Sequence, residues 1–150
     1  MNEPEVVVVI PARYASSRLP GKALVSLGGK PMVQRVYERS KLAQTVKRVI
    51  VATDDQRIVD AVQAIGGEAR MTRADHRTGT ERIAEVAAHE AGDIFVNVQG
   101  DEPLIDPATI DTAVGALLEE PAAQIATVAT PAPDNTAMVY WLRRHYRPCW

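Results

Sequence analysis

Short apolar runs alternate with longer segments of mixed polarity along this chain. Val6–Ile10 is an unbroken β-branched run that ends at Pro11, and Arg48–Ala52 and Ile94–Val98 have a similar character. Such runs predict strands that are buried on both faces of a sheet. A further run, Ile125–Thr130, predicts a fourth strand.

Between these runs, the apolar residues recur with the period of a helix. Pro31–Leu42 has proline in its first turn, Gln56–Ile65 stops at Gly66-Gly67, and Pro107–Leu118 is a further helical segment. Thr78-Gly79-Thr80-Glu81 has the pattern of a capping box at the start of another helix. This alternation predicts an α/β fold with a mostly parallel sheet and helices on both of its faces.

Composition and charge narrow the possible functions. The apolar fraction of 46% is typical of a globular domain. The net charge of −2 gives no indication of the basic surface that nucleic-acid binding needs. No apolar run reaches the roughly 20 residues that span a bilayer, and the start lacks the basic region of a signal peptide. Cys149 is the only cysteine, which favours a reducing compartment, and we expect a cytoplasmic protein.

The first loop with unusual residues directly follows the first predicted strand. In α/β sheets, ligands bind beyond the carboxyl ends of the strands. The loop Pro11–Lys22 places Arg13, Arg18 and Lys22 among small side chains, which suits a polyphosphate although the loop is neither a Walker A motif nor G-x-G-x-x-G. The alternative is a solvated basic loop. The position of the loop directly after a buried strand favours phosphate binding.

The second loop, Asn97–Pro103, carries a pair of carboxylates at the end of the third predicted strand. Asp101 and Glu102 could hold Mg²⁺, which prefers one or two carboxylates together with substrate phosphates. The alternative is a polar turn that Asp101 caps. A neighbouring phosphate-binding loop favours the metal site, because Mg²⁺ would bind the carboxylate and the substrate phosphates together.

The third loop, Met71–Thr80, leads into the capped helix. Its polar groups could contact a base edge or ribose hydroxyls, and the amino end of the helix favours an anion. We expect His76 to be an exposed loop histidine without a function. The sequence shows no serine–histidine–acid set and no zinc spacing, so the three loops indicate chemistry at phosphorus without a covalent intermediate.

Taken together, these segments resemble a known family. IPARYASSRLPGK, GGKPM, VATDD, MTRADHRTGTERIAE and NVQGDEP occur in this order between about Val6 and Thr130. They closely resemble the 3-deoxy-manno-octulosonate cytidylyltransferases, also called CMP-Kdo synthetases. The resemblance implies a Rossmann-like nucleotidyltransferase fold, a homodimer and a role in lipopolysaccharide synthesis. The implied reaction is the Mg²⁺-dependent transfer of CMP from CTP to the acidic sugar Kdo, with release of pyrophosphate.

The resemblance also implies roles for individual residues, of which Arg13, Lys22 and Asp101 would be catalytic because they offset the developing charge. The triphosphate would be held by Ala12, Arg13, Arg18 and Lys22, and the cytidine by Arg73, Asp75, Gly79 and Thr80. Gln99 would lie near the sugar, and Asp101 would bind Mg²⁺.

Family-like sequence ends at about Ala132. We therefore interpret residues 1–134 as the amino-terminal part of a nucleotide-binding domain and 135–150 as an atypical tail, in a chain truncated relative to the family. The carboxyl-terminal part of the family supplies a second acidic metal ligand, most dimer contacts and more of the sugar site. We thus expect this chain alone not to complete the reaction. The alternatives are a cytidylyltransferase for another acidic sugar, such as a sialic acid, and a nucleotide-binding fragment without turnover.

Overall fold

A computed structural model of the chain describes residues 3–15 and 19–129. Its strands are β1 (Val6–Ala12), β2 (Ser26–Leu27), β3 (Lys30–Pro31), β4 (Arg48–Thr53), β5 (Glu68–Met71) and β6 (Ile94–Asn97). Four of them form a parallel main sheet in the order β5-β4-β1-β6, and the two short strands β2 and β3 form a separate antiparallel pair.

Helices cover both faces of this sheet, as the sequence predicts. They are α1 (Met32–Ser40), α2 (Gln56–Gln63), α3 (Gly79–His89) and α4 (Pro107–Glu119), and a 3₁₀ turn spans Lys22–Leu24. Alternate residues of β1 point to opposite faces. Val8 and Ile10 pack with α1, α2 and α4, whereas Val7 and Val9 pack with α3. The apolar run is therefore continuous because the strand is buried on both sides.

Local caps explain where three of the helices begin. The predicted capping box is present, since Thr78 Oγ1 accepts from the Glu81 backbone N–H and the Glu81 side chain accepts from the Thr78 N–H. Asp55 and Asp106 cap α2 and α4 with a single hydrogen bond, each accepting from the backbone N–H two residues later.

The structure corrects the sequence predictions at three places. β5 was not predicted, because Glu68 and Arg70 interrupt its apolar pattern and only Ala69 is buried. The predicted strand at Ile125–Thr130 is wrong for residues 125–129, which pair with no described strand and leave Ile125 76% exposed. β6 is only half-buried because it lies at the edge of the sheet. The predicted boundary between residues 134 and 135 lies outside the described residues.

An ion-pair network joins the amino-terminal half of the sheet to the end of α3. Arg48 in β4 contacts Glu68 at 2.8 Å and Glu90 at 2.9 Å, and Glu90 also accepts a hydrogen bond from Arg70 Nε. The guanidinium groups of Arg70 and Arg48 hold the pKa of the Glu90 carboxyl below its usual value.

Among the described residues, none of the helices has the length and apolar character that a membrane-spanning helix needs.

This network predicts an acid-sensitive contribution to stability. A carboxyl whose native pKa is lowered stabilises the fold above its ordinary pKa of about 4.5 and loses that contribution as the pH falls through the lowered value. We expect Glu90→Gln to lower the free energy of unfolding at pH 7 by roughly 1 kcal/mol, the upper end for partly exposed pairs. In urea unfolding, the difference from wild type should shrink below pH 4.5. A difference that stays constant with pH would contradict this assignment.

Candidate active site

A cleft with polar and charged lining residues lies at the carboxyl edge of the main sheet. It encloses about 510 Å³. Its walls come from the end of β1, from the loops that follow β1 and β6, and from the start of α3. The lining residues are Pro11, Ala12, Arg13, Ala15, Leu19, Lys22, Ala23, Gly79, Gln99, Gly100 and Asp101.

Two glycines allow the backbone segments of the cleft to approach closely. A Cβ atom on Gly100 would lie 2.7 Å from the Pro11 carbonyl oxygen, and one on Gly79 would lie 3.2 Å from Pro11 Cγ. Gly100 therefore lets the loop after β6 pass directly over the end of β1. Gly79 lets the amino end of α3 approach the same residue from the other face.

The loop after β1 is closed at its base. Gly21 donates its backbone N–H to the Tyr14 carbonyl at 2.8 Å and adopts a φ of +70°, which glycine tolerates best. The Arg57 guanidinium lies 3.3 Å from the centre of the Tyr14 ring. Asp55 pairs with Arg57 at 2.6 Å, and this contact lowers the pKa of the Asp55 carboxyl. The start of α2 thereby supports the loop that carries Arg13 and Lys22.

Both described basic residues of the first loop contact groups from the other two loops. Lys22 Nζ lies 2.6 Å from Asp101 Oδ2, with the two side chains 39% and 51% exposed. Arg13 Nη2 donates to the His76 carbonyl oxygen at 2.5 Å. Ion pairs this exposed contribute roughly 0–1 kcal/mol, so a polyphosphate can replace such contacts at little cost.

The third loop lies beside the cleft, and most of its side chains do not line it. Arg73 and Asp75 form an exposed ion pair with each other, which lowers the pKa of the Asp75 carboxyl. The expectation that His76 is exposed is wrong: its side chain is largely buried and contacts the Glu85 carboxylate. The hydrogen bond with His76, and to a smaller extent the one from the Arg73 backbone N–H, lowers the pKa of the Glu85 carboxyl.

The structure thus brings together most of the residues that the sequence singled out. Those that line the cleft are Ala12, Arg13, Lys22, Gly79, Gln99 and Asp101. Arg73, Asp75 and Thr80 are absent from its lining, and Arg18 lies outside the described residues. One buried residue near the site was not predicted at all. Arg82 follows the capping box in a position where sequence alone suggests an exposed charge.

A parallel α/β sheet with a cationic, carboxylate-bearing cleft at its carboxyl edge is the arrangement of a nucleotide-binding protein. The protein-family model described as "Cytidylyltransferase" matches residues 7–140 of this chain. The chain belongs to the cytidylyltransferase family.

Curated relatives are similar over most of this chain. A 3-deoxy-manno-octulosonate cytidylyltransferase from Syntrophotalea carbinolica is 59% identical over 84% of the chain and 50% of its own length. The protein of the same name from Geobacter sulfurreducens is 56% identical over 82% of the chain and 49% of its own length. The chain therefore spans about half the length of the curated relatives it matches.

Solved structures agree with the fold. A CMP:2-keto-3-deoxy-manno-octonic acid synthetase complexed with CTP is 52% identical, with a TM-score of 0.77, over 79% of this chain and 49% of its own. A cytidylyltransferase from Leptospira borgpetersenii is 28% identical, with a TM-score of 0.71, over 79% of this chain and 51% of its own. A nucleotidyl transferase from Methanothermobacter thermautotroptrophicus is 19% identical, with a TM-score of 0.64, over 74% of this chain and 57% of its own. At this identity it shows only that the fold is shared. These findings confirm the predicted Rossmann-like nucleotidyltransferase fold.

The close approach at Gly100 gives a direct test of how the cleft is built. Gly100→Ala places a methyl group against the Pro11 carbonyl, and we expect unfolding to become easier by about 1–3 kcal/mol, as overpacking typically causes. Gly115→Ala in α4 is the matched control, because apart from its chain neighbours and the helix's own backbone nothing lies within 4 Å of the added Cβ. Helix propensity alone should stabilise the control by up to about 1 kcal/mol. Equal effects of the two substitutions on urea unfolding would contradict the packing.

Proposed function

We propose that this chain forms the CTP-binding half of an enzyme that transfers CMP to the anomeric hydroxyl of Kdo. The observation that carries the proposal is the convergence of Arg13, Lys22 and Asp101 on one cleft. The reaction is supported by the names of the relatives and by the CTP-complexed structure at 52% identity. The products are CMP-Kdo, which serves lipopolysaccharide synthesis, and pyrophosphate.

The charges of the cleft fit a metal-bound triphosphate. Arg13 offers a planar guanidinium for bidentate contact with phosphate oxygens, and Lys22 offers a point charge. Both lie among Ala12, Ala15 and Ala23, whose small side chains leave the backbone accessible. When a triphosphate enters, we expect Lys22 to exchange the Asp101 carboxylate for phosphate oxygens.

The residues present fit Mg²⁺ only in company with the nucleotide. No group of three or more histidine, cysteine, aspartate or glutamate residues in the described ranges could hold a metal ion. Asp101 offers one partly exposed carboxylate beside a cationic partner, and Mg²⁺ is usually bound by one or two carboxylates plus substrate phosphates. Asp101 would hold the ion, which neutralises phosphate charge when bound.

In this reaction the anomeric hydroxyl of the sugar attacks the α-phosphorus, and pyrophosphate leaves on the opposite side. The bond between the α-phosphorus and the bridging oxygen breaks as the new phosphorus–oxygen bond forms, and the proton of the attacking hydroxyl is lost to water. Arg13 and Lys22 would offset the charge that develops on the phosphate oxygens. Gln99, which is exposed in the cleft and donates to Asn97 at 3.0 Å, would face the sugar.

The cytidine would lie toward the third loop. Gly79 lines the cleft, whereas Arg73, Asp75 and Thr80 lie on the same loop and the adjoining first turn of α3, outside the lining. We propose that this loop holds the base and ribose. Homodimerisation of the full-length protein is a further proposal, which rests on the family resemblance. A cytoplasmic location is another, which rests on the single cysteine, Cys149.

Nucleotide selectivity tests the proposed function. We expect CTP with Mg²⁺ to bind more tightly than ATP, GTP or CMP, because the triphosphate clamp and the base-holding loop act together. Calorimetric titration of the chain with each nucleotide measures this order. Equal affinities for all the nucleotides would refute base recognition, and the absence of CTP binding would refute the site itself.

The role of Lys22 has a matched control within the chain. Charge-assisted contacts contribute about 1.5–3 kcal/mol, so Lys22→Ala should weaken CTP binding at least tenfold. Lys30 forms a similar ion pair, with Glu38 at 2.8 Å and side-chain exposures of 42% and 41%, but lies outside the cleft. Lys30→Ala should therefore leave the affinity for CTP unchanged. Wild-type binding by the Lys22 variant would show that the loop is only solvated.

A further inference from the structure

Arg82 is a charged residue in the interior of the protein. Its side chain is 0% exposed, although it lies in the first turns of α3, directly after the capping box. Removing a guanidinium from water costs several kcal/mol unless it is paired and hydrogen-bonded. Its position therefore depends on specific partners in the neighbouring strands.

These partners come from the carboxyl ends of two strands. Arg82 Nη2 donates to Asp54 Oδ2 at 3.0 Å, just beyond β4, and Nη1 donates to Thr72 Oγ1, just beyond β5. The Thr72 hydroxyl and backbone N–H both donate to the Thr53 carbonyl, at 3.0 and 2.8 Å. One guanidinium thus ties α3 to the ends of β4 and β5.

This tie fixes both ends of the segment 73–78, which forms most of the third loop. Thr72 immediately precedes the segment, and α3 begins immediately after it. The segment also supplies the His76 carbonyl that accepts from Arg13, and α3 supplies Gly79 to the cleft. A shift of α3 relative to β5 would therefore move the proposed base-holding loop.

Stability alone does not account for a buried charge at this position. A buried ion pair is often neutral or destabilising relative to apolar residues of similar volume. A planar group with fixed donor directions instead selects one arrangement of α3, β4 and β5. Selecting one arrangement matters most where a loop must match the shape of a ligand.

We propose that Arg82 is a positioning residue for nucleotide recognition, which acts through Asp54 and Thr72 to hold the segment 73–78 against the base and ribose of CTP. This inference rests on the proposed function. It predicts that loosening the tie weakens contacts with the nucleoside and spares contacts with the triphosphate, since Lys22 and Asp101 lie on other loops and the triphosphate replaces the His76 carbonyl as the partner of Arg13.

The test compares two substitutions at Thr72 in the whole chain. Thr72→Val removes the hydroxyl that bridges Arg82 and Thr53, whereas Thr72→Ser retains it. We expect the valine variant to bind CTP with Mg²⁺ about tenfold more weakly, the equivalent of ~1.4 kcal/mol. Its affinity for inorganic tripolyphosphate with Mg²⁺ should change by less than about twofold, within the scatter of independent sites. The serine variant should match wild type for both ligands.

A second variant covers the case in which the valine protein does not fold. Arg82→Lys keeps the charge beside Asp54 but cannot span Asp54 and Thr72 together, so it should show the same selective loss. Circular dichroism checks that each variant is folded. Loss of CTP and tripolyphosphate affinity by the same factor, or no loss in either variant, would overturn the inference. A wild-type chain that does not prefer CTP to tripolyphosphate would instead contradict the proposed function.

Discussion

The close packing of two backbone segments at the carboxyl edge of the sheet is the constraint on which the site depends. β1 and β6 pair in parallel with Val9 opposite Asn97, and the chain then passes over the Pro11 carbonyl at Gly100. Parallel pairing places the loops after both strands at the same edge. Lys22 and Asp101, which are far apart in the sequence, consequently come within 2.6 Å.

The support for the cleft comes from side chains that never enter it. Arg57 stacks on Tyr14 below the phosphate loop, and Arg82 ties α3 to two strand ends. These arginines use the planar geometry of the guanidinium rather than its charge alone. The basic residues that do face the cleft make exchangeable contacts instead, which suits groups that must accept a ligand. Rigid support and replaceable contacts are thus assigned to different residues.

Sequence patterns predicted the parts of the fold that local signals determine. The unbroken run of β1 and the capping box of α3 each depend on neighbouring residues, so they could be predicted without the tertiary structure. β5 could not, because it has one buried side chain and is held by pairing with β4. The burial of Arg82 could not be predicted either, since Asp54 and Thr72 reach it only after the sheet has formed. The rule that ligands bind at the carboxyl edge predicted the location of the cleft, but it did not predict the pairing of Lys22 with Asp101.

A crystal structure of the chain with CTP and Mg²⁺ would show directly whether this cleft holds the triphosphate. We expect the triphosphate to lie in the cleft between the loops after β1 and β6, within hydrogen-bonding distance of Arg13 and Lys22. We also expect Asp101 to contact the metal ion and Lys22 to have moved from Asp101 to the phosphates. A triphosphate bound elsewhere, or an intact Lys22–Asp101 contact beside bound CTP, would contradict this assignment of the site.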